Sequence, residues 1–330
     1  MIRQLARGLV LTVFFLTSAH ASVNSTENKL KKFNNFELLD SNQTEPIGPG
    51  FRLKPLVSAQ GASIKKLSRG SASSGSNSST LGSLGSSGSE EFGPPLAHLW
   101  AKVISEQSPS RMSSFLQNCE NYREVVSEIL KKADVPEKFY SLPILLSGYQ
   151  VHYVSGNRAG IWAITPEVAR RYGLRISKNV DERFDPIRST RVFGKHLKDL
   201  HRVFQSWELA LTATVTGERR LLSVLMHANK RGFWELLNAG DIEGDAQYRY
   251  PLFLASQILA KDPTGFGLEK PMPFSWKSLQ VMKVPSGISL RQLALDTGVS
   301  LDEIRRLNPH LRSLESPNFS DSYSLWVARK

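Results

Sequence analysis

Side chains that could move a proton are few and scattered in this sequence. Glu137 precedes an apolar run, Glu167 follows Thr165-Pro166, Glu218 follows Gly217, and His152 sits in a polar stretch. Thr165, Pro166 and Glu167 together spell a helix start: a threonine cap, proline at the first position and an acid in the first turn. Glu167 therefore reads as a charge favoured by the helix N-terminus, and His152 reads as a loop histidine. Cys119 is the single cysteine. It can form no intramolecular disulfide and no cysteine-rich metal site, and reads as a buried thiol. No metal and no organic cofactor is expected.

The elements that would position these groups are helical. From Pro95 onward, Val125, Val126, Ile129 and Leu130 recur at helical spacing, and the run stops at Asp134-Val135-Pro136, where proline disfavours helix in the residue before it. A helix from near Glu137 carries Phe139, Leu142, Leu145 and Leu146. The helix opened by Thr165 ends near Tyr172-Gly173. Asp185-Pro186 opens another, with Phe193, Leu197, Leu200 and Phe204 on one face. Trp207 to Ala213, Arg219 to Ala228 and Tyr248 to Ala260 complete an α-helical domain over residues 95–268. After a Pro-rich hinge (residues 269–278) comes a small unit, residues 279–330, in the order strand, helix, helix, strand. The strands are expected over Leu279 to Val284 and Tyr323 to Ala328.

The first ninety residues have a different character. Arg3 and Arg7, the apolar run Leu9 to Leu16, and Ala19-His20-Ala21 follow the order of a secretory signal peptide cleaved after Ala21. The apolar run is too short to span a bilayer. No cysteine follows it, so a lipid anchor is not expected. The reading is a soluble chain secreted across the inner membrane into the periplasm, with no transmembrane segment. Residues 22–94 read as a disordered linker. From Ser71 to Ser89, 14 of 19 residues are Ser or Gly, too little apolar surface to offset chain entropy. The 330 residues carry a net charge of +12. That balance favours acidic partners such as nucleic acid, anionic lipid or anionic wall polymer. The basic residues are spread along the chain, as on an ordinary solvated surface.

The stretch from Leu142 to Leu174, Leu-Pro-Ile-Leu-Leu-Ser-Gly-Tyr followed by Gly160-Ile161-Trp162 and Thr165-Pro166-Glu167, resembles the core of membrane-bound lytic murein transglycosylases of the D type. Asp181 to Pro186, Ser189-Thr190, Trp207 to Ala210, Gly232 to Trp234 and Tyr250-Pro251 resemble further motifs of that family in order and spacing. The resemblance covers about residues 120 to 268. The last unit is similar to a LysM module at Gly287 to Leu290, Leu293-Ala294, Gly298 to Ser300, Ile304 and Leu307 to Pro309. The resemblance implies a mainly α fold: a lysozyme-like SLT helical domain followed by a small βααβ LysM-like domain.

The family's chemistry rests on one glutamate. It protonates the glycosidic oxygen and then, as carboxylate, takes the proton of the sugar's C6 hydroxyl to close a 1,6-anhydro ring. In this sequence the slot before Ser147 holds Leu146, which can do neither. Losing a positioned general acid/base costs about 10²–10⁴-fold in rate. The glutamine expected after Gly-Ile-Trp is Ala163. The family's tyrosine and asparagine in the Ala-Tyr-Asn run are Thr214 and Val215. Glu137, nine residues before Leu146 on the expected helix, lies about 13 Å away along the axis, too far to substitute. Glu218, after Gly217, is the candidate replacement acid.

Ser147, Tyr149, Gly160, Ile161, Trp162, Ala163, Thr214 and Val215 are the positions that would frame the family's substrate groove. Trp162, Tyr149 and Tyr153 could each stack on a sugar or pack in the core. The reading is an exported peptidoglycan-binding protein with a catalytically degenerate transglycosylase domain. It would bind glycan strands and act as adaptor or regulator, with other cell-wall enzymes as further partners. An active lytic transglycosylase using Glu218 is the alternative, and a protein-interaction scaffold without glycan affinity is the second. Nucleic acid is not expected as a partner, because no recognised motif accompanies the basic charge.

Overall fold

The computed structural model describes residues 89–274, 279–314 and 323–328. The expected signal peptide and most of the expected Ser/Gly linker lie outside the described residues. Two long helices open the helical domain, α1 (Ser89–Gln107) and α2 (Pro109–Lys132). Helix α1 thus begins six residues before Pro95. Pro109 stands at the first position of α2, where a missing N–H costs nothing.

The helix expected from Glu137 is two elements: a 3-10 turn, Glu137–Ser141, then α3, Leu142–Ser147. Pro143 lies in the first turn of α3 and cannot continue the hydrogen-bond ladder of the segment before it. All six residues of α3 are buried. Gly148 ends it at φ +61°, and a Cβ there would sit 2.3 Å from the Phe115 ring. Glycine alone fits that close approach.

A short hairpin follows, β1 (Val154–Ser155) antiparallel to β2 (Arg158–Ala159). Helix α4 (Pro166–Arg171) is capped as its sequence implies, with Thr165 Oγ1 accepting from Val168 N. Helix α5 (Pro186–Phe204) is capped by Asp185, whose Oδ1 accepts from Ile187 N at 2.8 Å and Arg188 N at 2.9 Å. Its apolar face, Val192, Phe193, Leu197, Leu200 and Phe204, is buried against α2 and against α6 (Trp207–Thr216). Burial of each such side chain is worth about 1.5–3 kcal/mol. Helices α7 (Glu218–Ala228), α8 (Phe233–Ala239) and α9 (Asp245–Lys261) complete the domain. Helix α9 packs on α1, α3 and α6, and its Phe253 stacks on Phe139 at 4.4 Å between ring centroids. No described helix is long and apolar enough to cross a membrane.

Part of the stretch read as a hinge is fastened to α2. Glu269 N donates to Ser113 Oγ, and Met272 N to Gln117 Oε1 at 2.8 Å.

The C-terminal unit has the order strand, helix, helix, strand. Strand β3 (Leu279–Val284) pairs antiparallel with β4 (Tyr323–Ala328), from Leu279 opposite Ala328 to Val284 opposite Tyr323. Between them lie α10 (Leu290–Thr297) and α11 (Leu301–Leu307), capped by Ser289 and Ser300. Val284, Leu290, Leu293, Ile304, Leu311, Tyr323 and Leu325 form its core together with Val180, which comes from the loop between α4 and α5. Val180 also bridges Leu311, Asp181 N donates to His310 O at 3.0 Å, and Arg312 N to Asn179 O at 2.9 Å. The unit is docked on the helical domain through a shared core.

Candidate functional site

Leu146 lies near the C-terminal end of α3, 7% exposed. Its neighbour Ser147 is fully buried. The Ser147 hydroxyl faces Ile161 O at 2.6 Å, tying α3 to the Gly160–Ala163 segment. Tyr149 is also interior, at φ +55°, with its hydroxyl on Tyr140 O and its ring stacked on Tyr122. Burial pushes the Tyr149 phenol and the Cys119 thiol well above their usual ranges.

Gly160 is held at φ +76° against Arg183, so closely that a Cβ would meet the Arg183 carbonyl oxygen at 1.8 Å. Ile161 and Trp162 are core residues. The Trp162 indole stacks on Phe193 at 4.1 Å and donates from Nε1 to Thr190 Oγ1 at 2.8 Å. Ser147, Tyr149, Ile161 and Trp162 therefore build the wall from inside and offer a ligand no surface. Thr214 and Val215, near the end of α6, are half-buried, and Thr214 Oγ1 donates to Leu211 O.

The remaining acids are dispersed. Glu137 and Glu167 are exposed, as is His152, which stands beside the Phe184 ring. Glu218 is half-buried at the head of α7. Its charge reaches Tyr172, whose hydroxyl donates to Asp199 Oδ2. Burial, that hydrogen bond and the neighbouring acids push the Tyr172 phenol up to about 12.

Two features were missed in the sequence. The first is a buried charge network between the helical domain and the C-terminal unit. Arg183 holds Asp181 with two nitrogens, at 3.0 and 2.8 Å, and Arg312 reaches the same carboxylate at 3.0 Å. Arg188 spans Asp185, Glu182 and the Ser324 carbonyl, and lies over the Tyr323 ring. The pattern Asp181 to Arg188 signals this only once the C-terminal partners are known. The second is Arg249, on the first turns of α9. It is half-buried, and burial pulls its guanidinium down to about 10. It forms no hydrogen bond or ion pair with any described residue. In sequence it looks like one more solvated arginine.

This helical arrangement is that of an SLT-type, lysozyme-like domain, and residues 126–237 match the family model described as transglycosylase SLT domain. The match to that family lies within the helical domain. Two curated relatives are the membrane-bound lytic murein transglycosylase D of Escherichia coli (strain K12) and that of Escherichia coli O6:H1. Each is 27% identical over 213 residues, which cover 62% of this chain and 46% of the relative. The chain thus aligns with about half the length of these relatives.

Proposed function

We propose that this chain is an exported peptidoglycan-binding protein whose transglycosylase-type domain has lost its chemistry, and that it serves as an adaptor or regulator at the cell wall. One observation carries the reading: Leu146, buried and apolar, occupies the position where the resemblance places the proton-transferring glutamate. Ala163, Thr214 and Val215 support it, because each replaces a polar group expected on the same surface. The LysM-like βααβ unit would add a second contact with glycan. The signal-like N-terminus would place the protein in the periplasm, outside the reach of nucleic acid.

The test is a digest of purified sacculi, read by mass spectrometry for 1,6-anhydro products, with a pelleting assay beside it. The native chain is expected to pellet with sacculi and release no product. Leu146→Glu is expected to restore detectable product if the rest of the groove is intact. Release of product by the native chain would overturn the reading. A rival reading, an active enzyme with Glu218 as displaced acid, draws support from its half-buried place directly after Gly217. Product that disappears on Glu218→Gln would establish it.

A further inference from the structure

The two edges of the β3–β4 ribbon are finished differently. On the β4 side, side chains take up the outward main chain. Asn308 Oδ1 accepts from Trp326 N at 2.8 Å, Asn308 Nδ2 donates to Trp326 O at 2.7 Å, and Arg188 Nη2 donates to Ser324 O at 2.8 Å. Trp326 lies opposite Val281, and Ser324 opposite Lys283. In an antiparallel ladder, pairs that bond each other alternate with pairs whose N–H and C=O turn away from each other. The main-chain groups of Val281 and Lys283 therefore also point away from the partner strand, out of the ribbon.

No main-chain group among the described residues bonds to that outer edge. Val281 is 54% exposed, and Gln280 and Lys283 are exposed on either side of it. The usual guards of an edge strand are a proline, a bulge, a charge or a covering element. Leu279–Val284 contains no proline, and its register with β4 runs through six pairs without a bulge. The guard present is Lys283, which forms no ion pair with any described residue. A lysine on an open edge repels cationic segments and favours acidic ones. A second copy of this chain would bring a net charge of +12 of its own, which disfavours like-with-like pairing.

Extended peptides add to such edges through main-chain hydrogen bonds, and their side chains set the choice of partner. We propose that the open edge of β3, centred on Val281, is a docking site for an extended acidic segment of another protein, which joins the ribbon as a third strand with an acid facing Lys283. The proposal rests on the adaptor reading above and names the class of partner: a chain recognised by extended backbone and negative charge. Asn308 and Arg188 pin the far side of the ribbon to the ends of α11 and α5, so the template is formed before the partner arrives and little ordering is left to the binding step.

The experiment follows main-chain amide exchange in the purified chain by NMR. The probes are a capped peptide Thr-Val-Glu-Val-Glu-Thr, the same peptide with lysine for glutamate, and the acidic peptide fully N-methylated. The acidic peptide is expected to slow exchange of the Val281 and Lys283 amides by about fivefold or more. It is expected to bind about threefold tighter than the lysine form, a gap that narrows in high salt. The N-methylated form, with no main-chain donor, is expected to protect neither amide. Val281→Pro removes an outward N–H and leaves the β3–β4 ladder its bonds. That variant is expected to abolish protection at Lys283 while the Met282 amide stays slow. If it unfolds the unit, Lys283→Glu decides instead, by turning the preference to the lysine peptide. No change in exchange with any probe at millimolar concentration, or equal affinity for the acidic and lysine forms, would overturn the proposal. So would protection that rises with chain concentration in the absence of peptide, because a second copy would then hold the edge. Failure of the wall-binding reading looks different: no pelleting on sacculi, with Val281 and Lys283 still protected by the acidic peptide.

Discussion

The Tyr323 hydroxyl donates a 2.6 Å hydrogen bond to Glu182 Oε1 across 141 positions of sequence. The bond joins the second strand of the βααβ unit to the helical domain. It satisfies a carboxylate that is 5% exposed and whose other oxygen accepts from Arg175 N at 2.8 Å. Tyr323→Phe keeps the ring that lies under Arg188 and removes the hydroxyl that makes this bond. The expected cost is about 1–3 kcal/mol, the price of under-satisfying a buried charged acceptor. Urea unfolding of the two forms measures it. A difference below about 0.5 kcal/mol would mean that the bond contributes nothing net to docking.

Acid should loosen the same contact through a histidine. His310 is fully buried, with Nε2 3.2 Å from Arg188 Nη1 and Nδ1 3.5 Å from Asp185 Oδ2. That second approach is not a hydrogen bond, and Nδ1 has no hydrogen-bond partner. Burial first, and the Arg188 cation with it, pull the His310 pKa down to about 4, against the attraction of Asp185. An unfolded histidine titrates near ~6.5. The unfolded chain therefore takes up the proton first as pH falls. Stability that is complete above pH ~6.5 is lost progressively down to about pH 4, by on the order of 2–3 kcal/mol. His310→Gln, which does not titrate, should flatten that part of the profile. An unchanged slope between pH 6.5 and 4 in the variant would assign the acid sensitivity to other groups, with His196, also pulled down to about 4 by burial, first among them.

Gly160 tests how rigidly the segment leading into Ile161 and Trp162 is set. At φ +76°, with the Arg183 carbonyl oxygen 1.8 Å from any added Cβ, Gly160→Ala meets both backbone strain and a clash with main chain. A loss of about 3 kcal/mol or more is expected, seen as a lowered denaturation midpoint. Gly156, at φ +55° with open space around it, is the control. Alanine there carries the backbone strain alone, about 1–2 kcal/mol.

The helices that position the site were largely legible in sequence, and the reasons are local. Thr165, Asp185 and Ser206 cap their helices with side-chain oxygens, and the apolar period of α5 falls on the face that α2 and α6 cover. The break between the 3-10 turn and α3 was not read correctly. Leu142, Leu145 and Leu146 keep a helical period on both sides of it, while Pro143 fixes the change within one turn. Docking was illegible for another reason. Glu182 and Tyr323, Arg188 and His310, and Asp181 and Arg312 are more than 120 positions apart, and each residue alone reads as an ordinary polar group. The aromatic wall was open in sequence between ligand and core. Burial and the Thr190 bond place Trp162 in the core.

Val180 has a consequence for how the chain can be dissected. Because this one valine belongs by sequence to the helical domain and by packing to the βααβ unit, cutting the chain in the Pro-rich stretch near residue 271 does not separate two self-sufficient cassettes. The helical fragment would carry an exposed apolar knob beside three carboxylates, those of Asp181, Glu182 and Asp185, stripped of Arg312, Tyr323 and His310. The other fragment would carry a hole in its core. Activity or binding lost on such truncation would report a wounded remainder as readily as a missing module.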